Sequence, residues 1–197
     1  MNQQPDLKEI VTLIKQYKII QEYSSKLLGV YAIPRENDIY VWDCCIFLHS
    51  GIWQGGIFKF YIVLNRKSVL SEPPKVQFVS DVFHPYIDTQ TLTVDLKKLL
   101  PDWKESQMNI INALQYIKYM FELRTFEEKL FPNPNTYEIY QQGIVSDVFQ
   151  SHVYRSVTRS QRNLNSTPKG FGLEFTDPKN PEDMEYFRNL KHDLQLD

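Results

Sequence analysis

Four short runs decide the fold of this chain: Trp53-Gln54-Gly55-Gly56-Ile57-Phe58-Lys59-Phe60, Pro73-Pro74-Lys75-Val76-Gln77-Phe78, Val82-Phe83-His84-Pro85-Tyr86 and Leu92-Thr93-Val94-Asp95-Leu96. The first joins a glycine turn to an aromatic strand, and the second is a strand entered through two prolines. The other two lie between Asp81 and Asp102, where two prolines interrupt the chain and no clean period runs. Outward from these, Ile39–His49 and Ile57–Leu64 are rich in β-branched and aromatic residues, and Val76–Val79 is a shorter strand. Connections this brief cannot carry parallel crossovers, so the strands form an antiparallel meander.

Helical spacing flanks the meander. Leu7, Ile10, Val11, Ile14 and Tyr17 form an apolar face opposite Lys8, Glu9, Lys15 and Lys18, predicting a helix from an Asp6 N-cap to about Lys26. Gly29 ends it, and Pro34–Asp38 reads as a turn. The same spacing returns at Met108, Ile111, Leu114, Ile117, Tyr119 and Phe121 as a long buried helix. Phe131-Pro132-Asn133-Pro134-Asn135 breaks it, and Thr136–Tyr154 reads as one further helix on Tyr137, Tyr140, Ile144 and Val148. Between Asp147 and Glu174 there is no acidic residue. The Ser/Thr/Asn-rich run 155–169 is expected to be a solvated basic linker rather than a site for an acidic partner, phospholipid or RNA. Residues 170–197 form an extension with a helix from Pro181 to Leu194. The whole reads as an α+β domain over 7–154, a linker, and a tail.

Composition excludes several classes. The 197 residues are 42% hydrophobic and 23% charged, which is globular, and a net charge of -2 makes no electrostatic case for nucleic acid or anionic membrane. Apolar runs fall short of the roughly 20 residues of a transmembrane helix. Met1–Asp6 is neither a signal nor an Arg-rich transit peptide. Cys44 and Cys45 are the only cysteines. Neighbours on a strand point to opposite faces, so they do not pair, and two thiols make neither a disulfide framework nor a zinc site. An intracellular, cytoplasmic setting is expected, with an organelle or membrane-associated assembly as the alternative. No Gly-rich phosphate cradle or metal-ligand spacing occurs, so no cofactor is expected.

Taken together, these motifs resemble the ubiquitin-conjugating family over about residues 7 to 154. Trp53-Gln54-Gly55-Gly56 with Phe58 and Phe60 is similar to its Tyr-Glu-Gly-Gly-x-Phe hairpin. Pro73-Pro74 with Phe78 is similar to its Pro-Pro-x-x-x-Phe strand, and His84-Pro85 to the start of its His-Pro-Asn signature. Trp103 and Asn133-Pro134 sit where the family has a tryptophan and a late proline turn. Asp95–Trp103 and the tail Leu173–Arg188 resemble the divergent fused-toes (Akt-interacting protein) branch. The resemblance implies an N-terminal helix, a four-stranded antiparallel meander, a long central helix and C-terminal helices, followed by an extension.

It also implies where the chemistry should be. The family's nucleophilic cysteine falls at Thr93, and the asparagine that supports its oxyanion falls at Tyr86. Transthiolation needs a thiolate, whereas a threonine hydroxyl needs an adjacent base. Thr93, His84 and Asp95 have the composition of a triad, but a loop-holding histidine is the stronger reading. Cys44 and Cys45 lie mid-strand, where cysteine packs as a small apolar residue. The expectation is a domain that is not an enzyme. Family contact regions carry Arg66, Lys67, Val69, Leu70, Leu100, Pro101 and Trp103 here, and Met184, Phe187 and Leu190 form a stripe on the last helix. The partners expected are proteins of a multi-subunit complex; within the branch, a coiled-coil Hook-type adaptor and a third large subunit. The alternatives are a structural subunit of a respiratory or axonemal assembly, and a variant cofactor that binds ubiquitin.

Overall fold

The computed structural model describes residues 6–66, 69–104, 109–175 and 179–193, with side chains omitted at 187 and 190–193. Lys67 and Met108, singled out above, lie outside this set, as does Leu194.

Helix α1 (Leu7–Glu22) begins with a capping box: Glu9 N–H donates to Asp6 Oδ1 at 2.8 Å, and Asp6 N–H donates to the Glu9 carboxylate at 3.0 Å. It stops at Glu22, and a short 3-10 turn over Ser24–Leu27 replaces its expected last turn. Its apolar face is only partly turned inward, with Ile10 half-buried and Tyr17 packed on the core. Leu13, Gln16 and Ile20 face the core, while Leu7 is 77%, Val11 43% and Ile14 53% exposed. Gln16 is drawn inward because its amide closes the start of the central helix: it accepts from Ile110 N–H at 2.9 Å and donates to Asn109 at 2.8 Å.

Among the described residues five antiparallel strands lie in simple order: β1 (Val30–Arg35), β2 (Asp38–Phe47), β3 (Ile57–Val63), β4 (Lys75–Phe78) and β5 (Thr93–Val94). The expected Pro34–Asp38 turn is thus the end of an edge strand and the hairpin after it. Pro34 is tolerated there because only one side of β1 is paired, and the register shifts just after it. The inner face of β2 and β3 carries Trp42, Cys44, Ile46, Phe58, Phe60 and Ile62, all at most 1% exposed. A four-residue helix, α2 (Leu96–Leu99), follows β5, and α3 (Ile110–Glu122) packs on the inner face through Ile110, Leu114, Ile117 and Phe121.

Beyond α3 the single helix expected over Thr136–Tyr154 is two, α4 (Pro134–Gln141) and α5 (Asp147–Arg162). Gly143, at φ 95°, turns the chain between them, and Ser146 caps α5. Helix α5 continues past Tyr154 to Arg162, so the first half of the expected linker is helix. Helix α6 (Pro181–Asp193) lies in the tail. No helix among the described residues is long and apolar enough to cross a membrane.

The tail is not a loose appendage. Residues 164–175 lie across the outer face of the sheet, where Asp43 and Lys59 sit buried in otherwise apolar strands. Arg35 donates to both oxygens of Asp43, and Gly172 N–H donates to Asp43 Oδ2 at 2.9 Å. Lys59 Nζ donates to the carbonyls of Leu164 and Ser166 and lies over the rings of Phe171 and Phe175. Phe171 is buried against Tyr61, and Phe175 meets Phe47 edge-on at 5.8 Å.

Candidate functional site

The Trp53–Gly56 turn sets the corner where chemistry would be sought. A Cβ on Gly56 would come within 2.5 Å of the Phe58 ring and 3.0 Å of the Trp53 carbonyl, so only glycine lets the turn close. That closure buries the Trp53 indole completely, with its N–H donating to Phe83 O at 2.7 Å. Trp53 and Phe83 therefore anchor the chain at the entrance to His84.

His84 is fully buried between Trp53, Phe121 and Phe126. Its Nε2 contacts Met120 O at 3.0 Å and its Nδ1 accepts from Tyr86 N–H at 3.0 Å, which requires the neutral ring with its proton on Nε2. Burial disfavours the imidazolium and pushes the pKa down to about 3; the Met120 carbonyl opposes this only in part. Both nitrogens are thus engaged in holding the loop.

Tyr86 is turned into the protein. Its ring meets Phe126 at 5.3 Å and Phe131 at 6.1 Å, and its hydroxyl accepts from Glu127 N–H at 2.9 Å. Burial raises its phenol pKa. Tyr140 completes this cluster by accepting from Phe126 N–H at 3.1 Å. Tyr86→Phe should lower the unfolding free energy by about 1 kcal/mol, because a half-buried N–H loses its partner. Urea unfolding at unchanged m-value would measure it.

Thr93 opens the edge strand β5, opposite Gln77. Its Oγ1 lies 2.7 Å from Thr91 Oγ1, and its carbonyl accepts from Asp88 N–H at 2.9 Å. Asp88 in turn accepts from the N–H groups of Thr91 and Gln90; the Thr91 bond is the largest cause holding this carboxyl below its ordinary range. Asp95 caps α2 by accepting from Lys97 and Lys98 N–H. The three members of the triad-like set each have a structural task, and no described hydrogen bond joins them.

Both cysteines are buried on β2. Strands β3 and β4 lie between β2 and β5, so both cysteines are separated from Thr93 by two intervening strands. Burial raises the Cys44 thiol well above its ordinary value and pushes Cys45 up to about 12, with Lys59 only partly opposing. Neither is poised to ionise.

The residues expected at contact surfaces are distributed differently. Leu70 is 5% exposed with a left-handed backbone, and the Trp103 indole donates to its carbonyl at 2.8 Å. Val69, Leu100 and Trp103 are half-buried against the core beside it. Met184 is half-buried on α6; the side chains of Phe187 and Leu190 lie outside the described set. Asp43 and Lys59, which hold the tail at Gly172 and at the Leu164 and Ser166 carbonyls, belong to no motif singled out in the sequence.

A curled antiparallel sheet backed by one central helix, with a His-Pro loop leading to an edge strand, defines the ubiquitin-conjugating fold. The chain belongs to that family: residues 12–160 match the family model described as ubiquitin-conjugating enzyme. A Toxoplasma gondii ubiquitin-conjugating enzyme superposes with a TM-score of 0.59 at 24% identity, covering 78% of this chain and 97% of that structure. Among curated relatives, the Drosophila virilis crossbronx-like protein is 37% identical over 59% of this chain and 48% of its own length. The Culex quinquefasciatus crossbronx homolog is 32% identical over 69% and 62%, and the Danio rerio AKT-interacting protein 28% over 84% and 57%. The chain spans between 48% and 62% of the length of these relatives.

Proposed function

We propose that this chain is a non-catalytic ubiquitin-conjugating-like domain that serves as a protein-interaction adaptor in a larger intracellular complex. The observation that carries this reading is the chemistry of the corner at Thr93: among the described residues its hydroxyl bonds only the Thr91 hydroxyl, His84 has both nitrogens engaged, and Tyr86 is packed away. A nucleophile without thiolate or base cannot accept a thioester. Partner binding is supported by the outward stripe Leu7, Val11 and Ile14 on α1, whose i, i+4, i+7 spacing suits an amphipathic helix or coiled coil as partner. Relatives named AKT-interacting protein point the same way, and a Hook-type coiled-coil adaptor is the partner this branch suggests.

Incubation with activating enzyme, ATP and ubiquitin should yield no thiol-sensitive adduct, against a conjugating enzyme as positive control. A reducible adduct that disappears in Cys45→Ser would overturn the reading. Capture from native extract with wild type and with Val11→Asp tests the adaptor role. Recovery of coiled-coil adaptors that is lost in the variant supports it; recovery of ubiquitin-pathway enzymes alone counts against it.

A further inference from the structure

A cavity of about 340 Å³ lies between the loop Asp81–Leu92 and α5. Helix α5 presents His152, Arg155 and Arg159 to it, at the i, i+3, i+7 spacing of a single helical face. Thr89 stands among its lining residues, and the apolar part is Val82, Phe83 and Leu92. The His152 ring stacks on Phe83, with centroids 4.8 Å apart and 30° between planes. Arg159 pairs with Asp81 at 2.7 Å, both side chains being more than half exposed. No described carboxylate pairs with Arg155.

We propose that this cavity recognises a phosphorylated serine or threonine carried on a peptide segment of a partner. Two guanidinium groups and an imidazole converge against one carboxylate, so the site keeps an excess of donors and positive charge. A phosphate dianion offers three strong acceptors and fits the guanidinium fork bidentately. The Asp81–Arg159 pair is a solvated surface pair of the kind that contributes little, so an incoming phosphate can displace Asp81. The apolar lining gives a place to the carbon stem and flanking residues of a peptide, which a free anion would leave wet. The concave shape and a chain charge of -2 argue against a flat anionic membrane as the ligand. This site is separate from the α1 stripe and does not rest on the adaptor reading.

The test is fluorescence polarisation with a phosphoserine/phosphothreonine peptide library of degenerate flanks, beside unphosphorylated and glutamate-substituted libraries. Phosphorylated peptides should bind at least about tenfold more tightly than either control, and Arg155→Gln and Arg159→Gln should each remove about tenfold. Asp81→Asn should leave binding intact or tighten it. Arg155→Gln, which breaks no described ion pair, separates recognition from folding, and an unchanged melting temperature checks this. Three results would each overturn the proposal: equal binding of phosphorylated and unphosphorylated peptides, equal binding of the glutamate library, or inorganic phosphate binding as tightly as the peptides.

Discussion

Replacing Asp43 with alanine should lower the unfolding free energy by about 3 kcal/mol, the scale expected when one member of a buried ion pair is removed and the other is left behind. The Asp43 side chain is 0% exposed and that of Arg35 26%, so solvent can relieve only part of the loss. Three donors depend on this carboxylate: two from Arg35 and the N–H of Gly172. The last of these ties the tail to the sheet, so the damage should spread. The tail over 164–175 should become protease-sensitive in Asp43→Ala while the inner core stays protected. Ending the chain at Asn163 should have a still larger effect. It would bare Phe47, Tyr61 and the Lys59 ammonium at once, and the product should bind hydrophobic dyes and aggregate. Guanidinium unfolding and limited proteolysis check both. A loss below about 1 kcal/mol for Asp43→Ala, or a well-behaved truncated chain, would show that the tail only rests on the sheet.

That clamp also marks where sequence reading ran out. The meander, the central helix and the His-Pro corner were legible because their signals are local: paired glycines, prolines before strands, a helical period at Ile111 to Phe121. Edge strand β1 was missed because Pro34 and the preceding Gly29 look like punctuation, and only the sheet decides that a proline is acceptable at an edge. Strand β5 has two residues, too few to show any alternation. Helices α4 and α5 merged because their apolar spacing runs on through Gly143. On α1 the period was legible, but not that Gln16 would join the buried side, where it gains two hydrogen bonds, from α3's first amide and to its cap. A usable signal for the tail was present. Strands β2 and β3 are apolar on both faces, which is the mark of a sheet covered on both sides, and two charges set into such strands must find partners. What sequence could not supply was the partner, because Asp43 and Gly172 are 129 residues apart.

The same distinction governs the candidate site. The motifs single out His84, Tyr86 and Thr93 by position, yet what these residues do depends on contacts that no motif records. A His-Pro-Tyr run is compatible with a reactive loop. Only the depth of His84 and the Glu127 N–H on Tyr86 turn it into a packed pillar.

His84 should in consequence make the protein acid-sensitive over a defined window. In the unfolded chain its ring titrates near the ordinary value of 6.5, whereas in the folded protein burial holds it near 3. Between these values the unfolded state takes up a proton that the folded state refuses. This contribution to stability is therefore fully present above about pH 6.5 and is lost as pH falls towards 3, at a slope approaching about 1.4 kcal/mol per pH unit. Carboxylates titrate mainly below pH 5, so the interval from 6.5 to 5 isolates the imidazole. His84→Gln can keep both hydrogen bonds, donating to Met120 O and accepting from Tyr86 N–H, without a proton to gain. It should be less stable than wild type at pH 7.5, through lost ring packing, but its stability should fall less steeply between pH 6.5 and 5 by about 1 kcal/mol per unit. Urea unfolding across that interval decides it, and parallel slopes for the two proteins would remove His84 as the cause. The outcome bears on function as well. An imidazole that resists protonation down to pH 3, with its one lone pair committed to Tyr86, is a poor base for Thr93, and the burial that makes it so is the same that makes His84 a pillar of the fold.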